Sequence, residues 1–228
     1  MSPAMAFKKT SLEGGDYYIS RKRMVREQLI NRGIRDERIL HAFLKVPRHL
    51  FVEEGLRPMA YNDHPLSIGS GQTISQPYIV AYMLEALRLQ PTDKVLEVGT
   101  GCGYQTAILA ELVAQVYSIE RLSELLFKAR NTLKSLGYRN IHLKLGDGTL
   151  GWPEKAPFDA IVVAAGSPQV PRPYIEQSSE SGRVIVPVGD ELIQELVLNR
   201  REPSGWVREK LSGCRFVKLK GRHGFEPS

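Results

Sequence analysis

The feature that most constrains the fold of this chain is a regular alternation of short β-rich runs and helical segments after Gln90. The alternating segments are Lys94–Val98, Gly103–Leu112, Gln115–Ile119, Leu122–Leu136, Ile141–Leu145, Phe158–Val163 and Arg183–Val188. Strands that alternate with helices at this spacing form parallel βαβ units in a doubly wound, Rossmann-like sheet. Two further strands, Glu195–Arg200 and Cys214–Leu219, are predicted to close the sheet near an edge in antiparallel orientation. The sequence therefore predicts an α/β fold.

The chain before this core has a different, largely helical pattern, and we expect the whole chain (1–228) to be one domain. Its predicted parts are a mobile leader (1–15), a helical N-terminal extension (16–90) and the α/β core (91–228). The elements predicted in the extension are a helix over Asp16–Arg32 ended by Gly33, a helix over Asp36–Lys45, a long loop over Pro58–Gln76 and a helix from Pro77 to about Leu89. Long ordered loops are often functional, so this loop is a candidate binding segment.

The composition excludes several classes of protein. Of the 228 residues, 42% are hydrophobic and 25% are charged, which is typical of a globular chain and not of a disordered or collagen-like one. No apolar run approaches the roughly 18 residues needed to span a bilayer. The two cysteines, Cys102 and Cys214, cannot form a disulfide scaffold and offer no metal-ligand spacing. We expect a protein of the reducing cytoplasm, without a metal and without a membrane partner.

The net charge of +6 is unevenly distributed along the chain. Nine Lys and Arg residues stand against three acids between Arg21 and Arg48, and eight stand against two between Arg200 and Arg222. Such flanks can attract nucleic acid, so an RNA-binding protein is the alternative from a different class. No RNP-like aromatic motif accompanies the flanks, which disfavours that alternative. We interpret the flanks as a solvated helix face and an exposed strand edge protected by Lys and Arg.

The segment VLEVGTGCGYQTA, residues 95–107, is the strongest sign of a ligand site. An apolar strand ends here, three glycines follow at alternate positions, and a helix begins. Ligands of doubly wound sheets bind at the carboxyl ends of strands, where glycines let the backbone turn tightly and approach the ligand. A dinucleotide fingerprint needs glycine where this chain has Tyr104, which disfavours an NAD-dependent oxidoreductase. A G-x-G-x-G turn preceded by Glu97 instead resembles the S-adenosylmethionine methyltransferase signature, with Glu97 near the methionine ammonium.

Two further carboxylates lie at the ends of the next two strands. Glu120 follows Gln115–Ile119, about 20 residues beyond the glycines, where a carboxylate can accept both ribose hydroxyls. Acids at strand ends are also common helix N-caps, and that structural interpretation stays open. Asp147 ends the third strand, where it can accept a hydrogen bond from an adenine amino group or simply form an Asp-Gly turn.

Three longer segments resemble one family, the protein-L-isoaspartate O-methyltransferases, which act on isomerised aspartyl residues. These segments are Pro65–Pro77 (PLSIGSGQTISQP), Leu96–Ala107 (LEVGTGCGYQTA) and Gly146–Pro153 (GDGTLGWP). The later segments APFDAIVVAA, GRVIVPVG and RFVKL are also similar to that family, so the likeness extends from about Asp16 to Leu219. A generic methyltransferase would share only the glycine turn.

The resemblance implies methyl transfer from S-adenosylmethionine, which becomes S-adenosylhomocysteine, to the free α-carboxylate of L-isoaspartyl residues in damaged proteins and peptides. It also implies a class I methyltransferase sheet of about seven strands, whose last strands differ in order from the commonest arrangement. Ser75 matches the family's active-site serine. The implied cofactor residues are Glu97, Gly99, Gly101, Glu120, Asp147 and Gly148. The implied substrate residues are Ile68, Gly69, Ser70, Gly71, Thr73 and Val217.

Two positions depart from the family pattern. Cys102 replaces the serine more usual in the glycine turn, and Lys218 stands where the family usually has proline, beside the substrate pocket. Lys218 favours the alternative of a degenerate member that binds cofactor without repair activity. The retention of Ser75 argues against that alternative.

None of the five histidines lies in the matched catalytic segments, and methylation of a carboxylate does not require a base. An α-carboxylate has a pKa of about 3.3–3.7 and is ionised at neutral pH. The protein must then supply orientation, which can be worth roughly 7–11 kcal/mol. We expect Ser75 to orient the substrate carboxylate by a hydrogen bond rather than act as a nucleophile, with help from backbone N–H groups of Gly69–Gly71. The predicted partners are isoaspartyl proteins and peptides, bound by a monomer.

Overall fold

A computed structural model of the chain describes residues 16–226, and the predicted leader over residues 1–15 lies outside the described residues. The strands are β1 (Leu66–Gly69), β2 (Gln72–Ile74), β3 (Lys94–Val98), β4 (Gln115–Glu120), β5 (Ile141–Leu145), β6 (Phe158–Val163), β7 (Ser178–Gly189), β8 (Gln194–Glu202) and β9 (Gly205–Cys214). The α-helices are α1 (Asp16–Met24), α2 (Glu37–Lys45), α3 (Pro77–Ala86), α4 (Tyr104–Leu112), α5 (Ser123–Ser135) and α6 (Arg172–Glu176). Shorter helical turns are a π-helix over Val25–Leu29 and 3-10 turns over Ile30–Arg32, Arg48–Phe51, Glu54–Met59, Gly148–Leu150 and Pro153–Lys155.

Seven of the strands form one sheet in the order β5-β4-β3-β6-β7-β8-β9, while β1 and β2 form a separate antiparallel hairpin. The five strands from β3 to β7 are parallel to one another, and β8 runs antiparallel to both β7 and β9. The chain leaves β3 toward β4 and β5 on one side and returns to β6 on the other side. This reversal of strand order opens a crevice at the carboxyl end of β3. The prediction of a doubly wound sheet of about seven strands is confirmed.

Local sequence signals explain where the N-terminal helices begin and end. Asp36 caps α2, because its Oδ1 accepts a hydrogen bond from the backbone N–H of Arg38 at 2.9 Å. Pro77 occupies the first turn of α3, where a missing N–H costs nothing. The helical run that begins at Asp16 ends at Gly33, which has the left-handed φ of +102°. The helices predicted in this part of the chain are confirmed.

The sheet is covered on both faces, so β3 is buried along most of its length. Val95 belongs to a hydrophobic cluster that also contains Phe43 of α2 and Ile108 of α4. The next residue, Leu96, points into a second cluster formed with residues such as Tyr174. Because a strand alternates its side chains between faces, the two clusters lie on opposite sides of the sheet. The N-terminal extension therefore shares its core with the α/β part of the chain.

Two predicted elements differ from the structure. The segment Pro58–Gln76, predicted as a long loop, contains the β1–β2 hairpin. The hairpin was not predicted, because its strands are short and the segment is rich in Gly and Ser, which are typical of loops. The last strand was predicted over Cys214–Leu219, and that prediction is wrong, because β9 precedes this segment. β9 is mostly exposed and carries many charges, so it lacks the apolar alternation of a typical strand. Beyond Cys214 the more apolar run forms only an isolated bridge, between Lys218 and Gly166.

The two basic flanks have different structures. β9 pairs only with β8 in the described sheet, and its exposed Arg208 and Lys210 give the charged edge that was predicted. The N-terminal flank is not simply a solvated helix face, because Arg21 and Arg48 are buried, with 2% and 0% exposure. Within residues 16–226, no helix has the length and apolar character that crossing a membrane requires.

A buried ion pair ties β7 to the segment before β3. Arg183 Nη2 lies 2.9 Å from Asp93 Oδ2, and the two side chains are only 14% and 7% exposed. Arg183 also donates to the carbonyl oxygens of Leu87, Arg88 and Asp159. A guanidinium that satisfies a buried carboxylate and several carbonyls cannot be removed without leaving unpaired polar groups.

We expect Arg183→Met to lower the free energy of unfolding by about 3–5 kcal/mol, because it leaves the Asp93 carboxylate buried without its partner. Urea unfolding followed by circular dichroism measures this loss. Arg172→Met is the matched control, since Arg172 pairs with Glu176 on an exposed helix face and should change stability very little. Equal effects of the two substitutions would contradict the structural role of the Arg183–Asp93 pair.

Candidate functional site

A cavity of about 520 Å³ opens at the carboxyl ends of β3 and β4, between the sheet and the β1–β2 hairpin. Most of the residues predicted from the sequence line it: Ile68, Ser70, Gly71, Thr73, Ser75, Gly99, Gly101, Glu120, Gly148 and Val217. Three predicted residues, Gly69, Glu97 and Asp147, are not part of the lining. The structure thus brings together segments that are up to about 150 residues apart in the sequence, from Ile68 to Val217.

The glycine turn that follows β3 forms the floor of the cavity. Gly99, Gly101 and Gly103 all have positive φ angles, of +95°, +55° and +90°, which favour glycine. At Gly103 a Cβ atom would also lie 3.2 Å from the side chains of Ala129 and Leu133, so α5 packs closely against this turn. The turn therefore depends on glycine both for its backbone geometry and for its packing.

Glu120 connects this turn with the next one. Its Oε2 accepts a hydrogen bond from the Gly101 N–H at 2.9 Å, and its Oε1 accepts from the N–H groups of Arg121 and Leu122 at 2.9 and 3.0 Å. The carboxylate therefore holds the backbone that leads into α5, and it also lines the cavity. The N-cap interpretation of Glu120 is wrong, because the N-cap of α5 is Leu122 and no side chain among the described residues caps that helix. Glu120 instead holds the backbone before the helix and lines the cavity where the ribose contact was predicted.

Glu97 lies beneath the turn, fully buried at 0% exposure. Its Oε2 accepts hydrogen bonds from Thr106 Oγ1 at 2.5 Å and from Ser118 Oγ at 2.6 Å. Its Oε1 has no hydrogen-bond partner among the described residues. Burial raises the pKa of Glu97 to about 7, because the desolvation of the charged form outweighs the hydrogen bonds that stabilise it.

Asp147 supports the cavity from outside. Its Oδ1 accepts from the N–H and the hydroxyl of Thr149, and its Oδ2 accepts from the Arg222 N–H at 2.9 Å. Burial alone would raise the pKa of Asp147, but these hydrogen bonds outweigh it and hold the pKa below its usual value. The Asp-Gly turn predicted as the structural alternative is confirmed, while Gly148, the next residue, lines the cavity.

The β1–β2 hairpin covers the opposite side of the cavity. Its tip, Gly69–Gly71, has positive φ at all three residues, and Ser70 Oγ donates to Glu124 Oε2 of α5 at 3.3 Å. Ser75 follows β2 and is half-buried in the cavity wall. The Ser75 carbonyl accepts a hydrogen bond from Arg48, whereas the Ser75 hydroxyl forms none with the rest of residues 16–226. That hydroxyl is therefore available to a bound molecule.

The cavity contains neither a histidine nor a reactive thiol. None of its described lining residues is a histidine. Cys102 lines it, but burial raises the pKa of the Cys102 thiol to about 11, so the thiol is neutral at pH 7 and unsuited to nucleophilic attack.

The segment after β9 completes the cavity wall. Val217 and Leu219 exchange backbone hydrogen bonds of 2.7 Å with Gly166, which follows β6. Lys218 lines the cavity, and its Nζ forms an ion pair of 2.5 Å with Glu191 Oε2 in the turn between β7 and β8. Lys218 thus has a partner of opposite charge supplied by this chain.

Several lining residues were not predicted from the sequence: Gln72, Gln105, Arg121 and Lys220. Gln105 is the most informative, because it is only 8% exposed and its Nε2 has no hydrogen-bond partner among the described residues. Gln105 thus presents a buried donor to the cavity, whereas Glu97 lies behind the lining, where Gln105 helps to stabilise its charged form. A ligand with a carboxylate group complements the Gln105 donor. The sequence could have indicated Gln105, because it lies in the glycine-rich segment 95–107, directly after Tyr104.

Comparison with known proteins gives consistent results at the level of sequence. The family model for Protein-L-isoaspartate(D-aspartate) O-methyltransferase matches residues 20–224. The chain is 56% identical over 207 residues to protein-L-isoaspartate O-methyltransferase 1 of Syntrophobacter fumaroxidans, a match that covers 91% of this chain and 97% of the relative. It is 53% identical over 211 residues to the protein-L-isoaspartate O-methyltransferase of Geobacter metallireducens, covering 92% and 98% of the two chains.

Solved structures agree with these relatives. One protein-L-isoaspartate O-methyltransferase superimposes with a TM-score of 0.82 and 30% identity, covering 90% of this chain and 67% of the other. A Plasmodium falciparum protein assigned to the same activity, in complex with S-adenosyl-L-homocysteine, superimposes with a TM-score of 0.76 and 27% identity, covering 88% and 98%.

The buried Glu97 generates a prediction about pH. Its pKa of about 7 lies above the usual value of 4.5, so the folded protein takes up a proton that the unfolded chain releases between these pH values. Stability from this group therefore falls as pH rises from about 4.5 to about 7. Glutamine cannot ionise, so the free energy of unfolding of Glu97→Gln should not show this fall. We expect the difference in free energy of unfolding between Glu97→Gln and the wild type to rise by up to about 3 kcal/mol, in favour of the variant, between pH 5 and pH 8. Urea unfolding of both proteins without ligand measures this; a pH-independent difference would contradict it.

Proposed function

The chain belongs to the protein-L-isoaspartate(D-aspartate) O-methyltransferase family, and on this premise we propose that it methylates the free α-carboxylate of L-isoaspartyl residues in damaged proteins and peptides. One observation carries the proposal: the Ser75 hydroxyl, without a partner among the described residues, lines the same cavity as the glycine turn after β3. A carboxylate bound near Ser75 and a methyl donor bound at the glycine turn can therefore lie next to each other in one cavity.

The residues of the site fit S-adenosylmethionine, which supplies an electrophilic sulfonium methyl group when bound. Gln105 Nε2 would donate to the carboxylate of its amino-acid moiety, since it is a donor without a partner among the described residues of the cavity lining. Glu97 would act on the ammonium from behind the glycine turn, because it does not line the cavity. Glu120 would accept the ribose hydroxyls, and the backbone at Gly99 and Gly101 would allow close approach. Gly148 would contact the adenine base. Asp147 would not touch the base, but its hydrogen bonds to Thr149 and Arg222 would stabilise the turn that contains Gly148.

The substrate side of the cavity would be formed by the hairpin and the late segment. Ser75 donates a hydrogen bond to the α-carboxylate and orients it toward the methyl group, and N–H groups of Gly69–Gly71 assist. Ile68, Thr73 and Val217 contact the peptide around the isoaspartyl residue. No group of the protein needs to remove a proton, because the carboxylate is ionised at neutral pH. The contribution of the protein is orientation in a desolvated cavity.

The methyl ester then leads to repair by chemistry of the peptide itself. The backbone nitrogen of the following residue attacks the ester carbonyl carbon, the C–O bond to the methoxy group breaks, and methanol leaves with the proton of the nitrogen. The resulting succinimide hydrolyses to a mixture that contains normal aspartate. The protein initiates this sequence and takes no part in its later steps.

The proposal also covers the domain organisation, the oligomeric state, the location and the partners of the protein. We place the whole chain in one methyltransferase domain, because the N-terminal extension and the sheet share one core among the described residues. We propose that this domain works as a monomer. Both cysteines are free thiols, which fits a reducing compartment such as the cytoplasm. Isoaspartyl proteins and peptides are the partners, rather than nucleic acid.

The first test is methyl transfer from labelled S-adenosylmethionine to a matched peptide pair that differs only in one isoaspartyl or one normal aspartyl residue. We expect base-labile label on the isoaspartyl peptide alone, because only there is a free α-carboxylate next to the side-chain linkage. Label on neither peptide, with S-adenosylhomocysteine still bound, would support the degenerate-member alternative instead.

Substitutions on the two sides of the cavity should separate catalysis from cofactor binding. We expect Ser75→Ala to lower kcat/KM for the isoaspartyl peptide by about 10² while the affinity for S-adenosylhomocysteine stays the same. Glu120→Gln should lower that affinity by about tenfold or more, because it loses charged hydrogen bonds. Calorimetry and initial rates measure the two effects. Ser204→Ala, in the exposed turn between β8 and β9 and outside the cavity lining, is the control expected to change neither.

A further inference from the structure

Arg48 is a buried cation in direct contact with the loop that carries Ser75. It is 0% exposed, its Nε donates to the Ala60 carbonyl at 2.7 Å, and its Nη2 donates to the Ser75 carbonyl at 2.8 Å. Ser75 lies between the end of β2 at Ile74 and the start of α3 at Pro77, outside both elements. The hydrogen bond from Arg48 is therefore the long-range contact that holds its backbone.

The same guanidinium contacts the cofactor side of the cavity. Its Cζ lies 4.8 Å from the centre of the Tyr104 ring, within the range of a cation–π interaction. Tyr104 is the first residue of α4, directly after the glycine turn, and it is 1% exposed. One side chain from the N-terminal extension thus joins the loop of Ser75 to the helix that follows the glycine turn.

The surroundings of Arg48 indicate that protein stability alone does not explain why an arginine occupies this buried position. Its Nη1 is buried with no hydrogen-bond partner among the described residues, and the groups that act electrostatically on it are Tyr104, Cys102 and Tyr61 rather than a carboxylate. A buried cation without a carboxylate costs more free energy than a well-packed apolar side chain of similar size. The planar fork does, however, donate to two carbonyl oxygens from two different nitrogens, Nε and Nη2. An apolar side chain has no such donor, and a lysine would have to place its one nitrogen within reach of both oxygens.

We propose that Arg48 is a positioning residue for methyl transfer: it holds the Ser75 backbone so that the Ser75 hydroxyl points into the cavity, in register with the helix that follows the glycine turn. It touches neither substrate nor cofactor and acts through Ser75. The inference rests on the proposed function, because Ser75 has a role to be positioned for only if the cavity orients a carboxylate.

A double-mutant cycle tests this, with kcat for the isoaspartyl peptide as the readout. We expect Arg48→Lys, which keeps the charge and loses the fork, to lower kcat by about tenfold in the wild-type background, with the affinity for S-adenosylhomocysteine unchanged. In the Ser75→Ala background the same substitution should lower kcat by less than about twofold, because the hydroxyl that it misplaces is already absent. A purely structural role would give the same loss in both backgrounds.

Phe51→Leu is the matched control, because the Phe51 ring also packs on Tyr104, at 5.5 Å, without a hydrogen bond to the Ser75 loop. Any loss that it causes should be equal with and without Ser75. If Arg48→Lys does not fold, as judged by thermal unfolding, Arg48→Gln replaces it, since its amide can still reach one carbonyl. Equal losses for the Arg48 variant in both backgrounds, with an active wild type, would overturn this inference alone. A wild type that labels no isoaspartyl peptide would overturn the proposed function and this inference with it.

Discussion

The carboxylate of Glu120 accepts hydrogen bonds from the turns that follow two neighbouring strands of the sheet. Gly101 lies in the turn after β3, whereas Arg121 and Leu122 follow β4, so one side chain fixes the two turns relative to each other. Hydrogen bonds to an ionised group are stronger than neutral ones, and this carboxylate is 6% exposed. Because both turns line the cavity, the geometry of the ligand site depends on this connection.

The cavity has two walls of different origin, and this division suits a reaction that brings two molecules together. The sheet provides the wall at the glycine turn, with the neutral thiol of Cys102 and the buried Glu97 nearby. The N-terminal extension provides the other wall through the β1–β2 hairpin and Ser75. Neither wall carries a histidine among the described residues, because a carboxylate substrate brings its own negative charge. The protein can therefore act through orientation alone.

Comparison of prediction with structure shows which signals a sequence carries. The helix over Glu37–Lys45 was predicted closely, because burial on one face leaves a local periodic pattern. The strand over Lys94–Val98 was also predicted closely, because a strand buried on both faces is a short, mostly apolar run. β9 was missed, since an edge strand that is exposed on much of its length carries charges instead of alternating apolar residues. Arg48 was interpreted as part of a solvated flank for a similar reason: nothing local distinguishes a buried arginine from an exposed one when its partners, Ala60 and Ser75, lie elsewhere in the chain.

By itself, the sequence determined the α/β fold class, the family and the residues of the glycine turn, because each follows from residues that are neighbours in the chain. Only the tertiary structure decided that Glu97 and Asp147 lie behind the cavity wall while Gln105 lines it. Those outcomes depend on hydrogen bonds between distant segments, such as that from Arg222 to Asp147, and on which side of a strand end a side chain is packed. Local patterns specify the elements, whereas the partners available to each buried polar group specify the site.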